Sequence, residues 1–212
     1  MLCIARWPLS PLPESVTAPE RIVDLIRHGE TSAQGFLIGR SDPCLSVAGW
    51  RRMQARMRML TMPADAVVVY SSPMRRCLRF ARAFAESRGF ALRVAADLRE
   101  LDFGQWEMME QARLFNDPGF QRFLRAPDRQ EVPGGESFAA FVRRVSRWLA
   151  GLRAREGERH VLVLTHGGVM RVMSCLMLGL PWTAMARLHV PPAAHARFQL
   201  DGARARLYAL NA

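Results

Sequence analysis

The sequence predicts an α/β fold, a three-layer α/β/α sandwich around a mostly parallel central sheet. Three observations predict it. Short apolar runs rich in β-branched residues recur along the chain, helical periodicity fills the intervals between them, and two of the runs end in the same His-Gly pair. Strands joined through helices must run parallel to their neighbours, and the crossover helices then cover both faces of the sheet.

The elements follow in order. Residues 22–26, Ile-Val-Asp-Leu-Ile, form the first predicted strand and run directly into Arg27-His28-Gly29. After Leu45, Ser46 is placed to cap a helix in which Trp50, Met53, Met57 and Leu60 recur at helical spacing, with Arg51, Arg52, Arg56 and Arg58 on a solvated face. Residues 66–70 form a second strand that leads into Ser71-Ser72-Pro73. Pro73 is predicted to occupy the first turn of a helix that runs to about Glu86 and closes near Gly89. A third strand is read over residues 91–95.

Residues 107–135, with Asn116-Asp117-Pro118-Gly119 and Pro133-Gly134-Gly135, read as short helices and loops laid over one end of the sheet as a cap. A helix from Glu136–Ser137 places Phe138, Phe141, Val142, Val145, Trp148, Leu149 and Leu152 on one stripe. Residues 161–165 form a fourth strand ending in His166-Gly167-Gly168. The helix after it runs to about Leu178 and is closed by Gly179, with Pro181 beyond. A final strand is read over 196–200. Residues 21–212 are read as one domain, and residues 1–20, interrupted by Pro8, Pro11 and Pro13, as a flexible extension or an upstream start.

Composition narrows the function. No apolar run reaches the roughly 18–20 residues that span a bilayer, and the first twenty residues lack the form of a secretory signal, so a cytoplasmic protein with no membrane partner is expected. Cys3, Cys44, Cys77 and Cys175 show neither a CxxC pair nor metal-ligand spacing, which fits a reducing compartment and predicts no metal site. The net charge is +11, and every one of the 30 basic residues is Arg. The arginines are spread along the chain instead of forming a tail or stripe, so no specific nucleic-acid partner is expected. A diffuse positive field does suit small phosphorylated substrates.

The chemistry collects at the strand ends. In an open α/β sheet ligands bind at the carboxyl ends of the strands, and two His-Gly pairs put two imidazoles there. A neutral imidazole beside guanidinium groups is suited to attack on phosphorus, with cations to take the charge of the oxygens. Arg27 accompanies the first histidine, Arg75 and Arg76 enter from the neighbouring turn, and Arg171 lies in the helix after the second. Glu100, Asp102 and Glu107 are the candidates for a general acid. Phe103 and Trp106 read as packing residues, and His160, His189 and His195 as structural or exposed.

Five motifs, in this order, resemble the histidine phosphatase (phosphoglycerate mutase-like) superfamily. They are Leu25-Ile-Arg-His-Gly-Glu-Thr31, Ser71-Ser-Pro-Met-Arg-Arg76, Leu98-Arg-Glu-Leu-Asp-Phe-Gly-Gln-Trp-Glu107, Pro133-Gly-Gly-Glu-Ser137 and Thr165-His-Gly-Gly-Val-Met-Arg171. The resemblance implies a phosphoglycerate mutase-like fold. His28 would be the nucleophile that becomes phosphohistidine, Arg27, Arg76 and His166 would hold the phosphoryl oxygens, and Glu100 would serve as general acid and then base. Arg76 is favoured over Arg75 because the family arginine stands four residues after the serine that Ser72 matches. Gly29, Thr31, Gln34, Arg40, Ser41 and Gly167 are the further candidates for binding phosphate or substrate. The resemblance implies no metal and no cofactor.

Gln34 stands where many relatives carry an Asn that binds phosphate, and Cys44 where Pro is usual. Only 26 residues separate Trp106 from Pro133, far fewer than in cofactor-dependent mutases. A short cap admits water, so hydrolysis is expected over phosphoryl transfer. The chain is most similar to α-ribazole phosphatase-like members, which dephosphorylate a nucleotide-like intermediate of cobalamin assembly. The alternatives are a mutase-type phosphotransferase and a non-catalytic phospho-ligand-binding domain. The chain is expected to be a monomer or homodimer.

Overall fold

A computed structural model describes residues 21–63, 67–202 and 204–211. The predicted extension over residues 1–20 and the predicted strand residue Ala66 lie outside the described residues. Six strands form one sheet: β1 (Arg21–Arg27), β2 (Val67–Ser71), β3 (Ala91–Val94), β4 (His160–Thr165), β5 (His195–Asp201) and β6 (Arg204–Leu210), in the order β3-β2-β4-β1-β5-β6. The first four in that order run parallel, while β5 pairs antiparallel with β1 and β6 antiparallel with β5.

Among the described residues six α-helices accompany the sheet: α1 (Val47–Met59), α2 (Arg75–Arg88), α3 (Gln111–Leu114), α4 (Pro118–Arg125), α5 (Phe138–Arg153) and α6 (Gly167–Leu178). Alternation along β1 sends Val23 and Leu25 into one core with α5 and α6, and Ile26 into a second core with Met53 and Met57 of α1 and Phe80 and Phe84 of α2. The chain is thus an α/β fold with an apolar layer on each side of the sheet.

The helix signals act as the sequence indicates. Ser46 accepts the Gly49 amide at 3.0 Å and Ser137 the Ala140 amide at 3.2 Å. Gly89 and Gly179 close α2 and α6 in the left-handed conformation, with φ of 66° and 64°. Pro73 differs from expectation. It precedes α2, which begins at Arg75, because Ser72 Oγ accepts the Met74 amide and the distant Asp42 carboxylate accepts the Arg75 amide at 2.8 Å. Strand β6 is an addition that the sequence reading did not contain. It lies at the sheet edge with five of its seven residues exposed and only Ala205 and Ala209 half-buried.

Strand β1 also carries a fully buried carboxylate. Asp24 accepts Nε2–H of His160 and of His195, each at 2.6 Å, and the Arg197 guanidinium at 2.7 and 2.8 Å, joining β1 to both of its neighbours. Burial alone would raise the Asp24 pKa, but these hydrogen bonds hold it well below the ordinary carboxylate range.

The segment 107–135 is anchored by aromatic contacts. Trp106 stands edge-on to Phe120 at 5.2 Å and near Phe123 at 5.7 Å, and Phe103 edge-on to Phe123 at 6.3 Å. Trp106 and Phe103 therefore pack, as the sequence suggests. Among the described residues no helix is long and apolar enough to cross a membrane.

Candidate active site

Strands β2, β4 and β1 are neighbours, so their carboxyl ends open side by side. The ladder continues one residue past the strands: the His28 amide donates to Thr165 O and the Ser72 amide to Leu164 O, both at 3.0 Å. The His28 carbonyl accepts the Ala193 amide at 3.1 Å. The backbone of His28 is thereby held from both sides before its ring is considered.

The two imidazoles lie edge to face with centroids 5.2 Å apart, and both are buried. His28 Nδ1 donates to the Gly29 carbonyl at 2.8 Å. That bond puts the proton on Nδ1 and the lone pair on Nε2, which takes no hydrogen bond among the described residues. At His166 both nitrogens are engaged: Nδ1 accepts Nε–H of Arg76 at 3.2 Å, and Nε2–H donates to Ser72 Oγ at 2.8 Å. Cys77 Sγ packs 3.7 Å from His166 Nε2, its thiol pushed up to about 12 chiefly by burial. Burial first, then Arg27 and Arg76, holds the His28 pKa well below 6.5. The same two arginines, with burial again foremost, hold His166 down. Both rings are neutral bases beside cations.

Three guanidinium groups surround them. Arg76 is completely buried, its Nη1 donating to Ser41 O and Nη2 to Gly39 O, each at 2.7 Å. Arg27 Nη1 donates to Val190 O at 2.6 Å, while its Nε is buried with no partner among the described residues. An orphaned donor of this kind costs about 1–3 kcal/mol unless a ligand fills it, and an oxyanion fits. Arg171, one helical turn beyond Gly167, donates Nε–H to Leu188 O at 3.1 Å and lies in electrostatic reach of Glu100. A Cβ on Gly167 would fall 3.1 Å from Arg171 Nη1 and 3.4 Å from Arg27 Nε, so this glycine lets both cations close on the start of α6.

Glu100 is half-buried against the same helix start, its Oε2 accepting the Gly168 amide at 2.9 Å. A Cβ on Gly168 would fall 2.4 Å from Glu100 Oε1, so the carboxyl depends on glycine there. The loop that carries Glu100 is held by Arg144, which donates to the carbonyls of Asp97, Arg99 and Glu100 and to the Glu136 carboxylate. The other acid candidates are committed elsewhere. Asp102 accepts the Gly104 amide at 3.0 Å within its own turn, and the Glu107 carboxylate accepts the amides of Gly39, Arg40, Ser41 and Phe103.

The remaining sequence candidates divide. A Cβ on Gly29 would fall 2.3 Å from Gly49 O, so the close approach it permits is to the backbone of α1. Thr31 is buried, bridges to Leu45 and accepts the Ala33 amide at 3.3 Å. Gln34 is exposed on a turn, with no hydrogen bond to the rest of the set. The Arg40 side chain is 82 % exposed and pairs with Asp102 at 3.6 Å, so Arg40 and Ser41 meet the cluster through their peptide groups. Arg75 is exposed and donates to Cys44 Sγ. The sequence reading named Arg171 among the cations near the strand ends without giving it a part in the reaction, and it gave no role to Ser72 or Arg144. Four residues from Gly167 is one turn on the same helix face, but nothing local distinguishes Arg144 from the other arginines of α5. Among the described residues no group of three or more His, Cys, Asp or Glu is arranged to hold a metal ion.

Residues 23–212 match the profile of the Histidine phosphatase superfamily (branch 1). The chain is 29 % identical over 191 residues to the adenosylcobalamin/alpha-ribazole phosphatase of Escherichia coli K12, covering 88 % of this chain and 94 % of that one. It is 31 % identical over 160 residues to phosphoserine phosphatase 1 of Hydrogenobacter thermophilus, covering 73 % and 75 %. Among solved structures it resembles a mycobacterial glucosyl-3-phosphoglycerate phosphatase, with a TM-score of 0.78 at 27 % identity over 91 % of this chain and 99 % of that one.

Proposed function

Since this chain belongs to branch 1 of the histidine phosphatase superfamily and is a phosphatase, we propose that it hydrolyses a small phosphomonoester through a phosphohistidine at His28, without metal or cofactor. The observation that carries this reading is the contrast between the rings. Of the two imidazoles at the strand ends, only His28 keeps a ring nitrogen with no partner among the described residues, and the Gly29 carbonyl fixes the tautomer that gives it a lone pair.

In the first step Nε2 of His28 forms a bond to phosphorus as the bond to the leaving oxygen breaks, and the carboxylic acid of Glu100 protonates that oxygen. In the second, the Glu100 carboxylate takes a proton from water as the water oxygen displaces Nε2 from phosphorus, releasing phosphate and restoring neutral His28. Arg27, through its unpartnered Nε, together with Arg76 and with His166, whose Nε2–H passes from Ser72 Oγ to the oxyanion when substrate binds, takes the charge on the phosphoryl oxygens. Gly29, Thr31, Gly167, Ser41, Arg40 and Gln34 contribute to binding in this reading, the last two from the exposed rim. The short cap leaves water a path to the phosphohistidine.

For the leaving group we propose α-ribazole 5'-phosphate as the first substrate to try, on the likeness to the Escherichia coli relative. The pairing of the chain with phosphatases of different named substrates makes the leaving group a matter for experiment. The cysteines Cys44, Cys77 and Cys175 are all thiols, which supports a cytoplasmic setting. The test is turnover of p-nitrophenyl phosphate with and without EDTA, followed by a panel holding α-ribazole 5'-phosphate, phosphoserine and glucosyl-3-phosphoglycerate. Turnover unaffected by EDTA and strongest on one panel member is expected. Abolition by EDTA overturns the metal-free route, and a better rate on phosphoserine than on α-ribazole 5'-phosphate overturns the substrate assignment.

A further inference from the structure

We propose that Glu107 is a positioning residue for the phosphate-holding Arg76, acting through the peptide backbone of residues 39–41. This rests on the role proposed above for Arg76. The segment Gly39-Arg40-Ser41 is gripped on two sides. Its three amides donate to the Glu107 carboxylate at 3.1, 2.7 and 3.2 Å, and its carbonyls at Gly39 and Ser41 accept Nη2 and Nη1 of Arg76 at 2.7 Å each. Arg76 Nε then reaches His166 Nδ1 at 3.2 Å. A carboxylate more than sixty residues from the strip in sequence is thus joined through that strip to the buried guanidinium, with no direct contact between the two side chains.

A separate observation shows how closely the strip is seated. A Cβ on Gly39 would fall 1.9 Å from Leu101 O and 2.5 Å from Glu107 Oε1, distances that no side chain tolerates. Peptide dipoles explain why an acid is needed there. In the Gly39–Arg40 peptide unit the carbonyl points at the guanidinium and the amide at the carboxylate, and an acceptor with full negative charge completes that unit better than a neutral one. The carboxylate also accepts the Phe103 amide at 3.0 Å, which ties the strip to the segment that follows Glu100. Burial raises the Glu107 pKa, but these amide bonds outweigh it and leave the group below its ordinary value, so the clamp is charged at neutral pH.

A double-mutant cycle between Glu107→Gln and Arg76→Ala tests this, reading kcat/KM on p-nitrophenyl phosphate and the inhibition constant of inorganic phosphate. In the wild-type background Glu107→Gln is expected to lower kcat/KM and weaken phosphate binding by roughly tenfold each. In the Arg76→Ala background the same change is expected to shift neither by more than about twofold. A carboxylate that only supported the fold would give the same loss in both backgrounds, and that additivity overturns the proposal. So does a Glu107→Gln enzyme within twofold of wild type. If Arg76→Ala itself leaves phosphate binding unchanged, the role of Arg76 fails and the clamp with it. Should the double variant not fold, the Arg76 Nε–H resonance of ¹⁵N-labelled Glu107→Gln decides. Faster exchange with water than in wild type supports the clamp, and unchanged exchange overturns it.

Discussion

The ends of β1 and β4 carry the same His-Gly pair, in the same position on neighbouring parallel strands, and their rings do different things. His28 spends one nitrogen on the carbonyl of the very next residue, a bond that needs nothing from the rest of the chain. His166 spends both nitrogens on the turn after β2 and the start of α2, through Ser72 and Arg76. The first arrangement leaves a lone pair available, and the second locks a ring in place beside a cation. The difference teaches that a repeated dipeptide sets where an imidazole stands, while its third partner sets whether it attacks or binds.

The largest effect should separate the two rings. His28→Ala is expected to lose turnover by about 10⁴-fold or more, since no other group replaces a nucleophile. His166→Ala should lose about 10²–10³-fold, the range for removing one donor to a developing anion. Quenched-flow trapping with labelled substrate checks the assignment. His166→Ala should still accumulate labelled protein and His28→Ala should not, and labelling of His28→Ala would reverse the two roles.

Glu100 tests whether proton delivery is separate from phosphate binding. Glu100→Ala should cost about 10²-fold or more on an alkyl phosphate, where the leaving oxygen needs a proton, and only several-fold on p-nitrophenyl phosphate, whose leaving group is stable as an anion. Equal losses on both would move the acid to another residue.

The pH dependence follows from the depressed imidazole of His28. Burial foremost, with Arg27 and Arg76 beside it, disfavours the protonated ring, so as pH falls the lone pair on Nε2 survives below the ordinary value of 6.5. The acid limb of kcat/KM that reports His28 is therefore expected below pH 6.5. Replacing Arg76 by Ala removes one of the cations and should move that limb upward. A limb that stays in place would mean that Arg76 does not act on His28 by its charge.

How much of this was legible in the chain depends on how far apart the partners lie. Strands β1 and β4 could be read because both faces of each are buried, and a continuous apolar run that ends in His-Gly announces the strand and the ring together. Arg27 could be read because it adjoins its histidine. Arg76 was placed by motif, but its partners Gly39 and Ser41 became visible only once the 39–41 segment was folded against Glu107. Asp24 looks like a polar interruption of an apolar strand. Its meaning rests on His160, His195 and Arg197, which lie 136, 171 and 173 residues away, and local pattern carries no information at that range. Strand β6 was missed for a different reason, since an edge strand with five of its seven residues exposed is not held to a period-2 alternation of buried and exposed positions.

The smallest expected effect is the sharpest test of the comparison between the rings. Ser72→Ala removes the acceptor for His166 Nε2–H, and the other partners it removes from Ser72 Oγ are the Met74 amide and the Cys77 thiol. The ring keeps its bond from Arg76 at Nδ1, so its tautomer is still favoured but its orientation is held from one side only. One neutral hydrogen bond contributes about 0.5–1.5 kcal/mol, which corresponds to a loss of roughly two- to tenfold in kcat/KM. Because His166 is assigned to bind phosphoryl oxygens and His28 to attack, the loss should appear for p-nitrophenyl phosphate and for an alkyl phosphate alike, and phosphate inhibition should weaken with it. A Ser72→Ala enzyme with unaltered phosphate inhibition but slowed formation of labelled protein would instead tie Ser72 to the attack step, and the division of labour between the two strand ends would have to be redrawn.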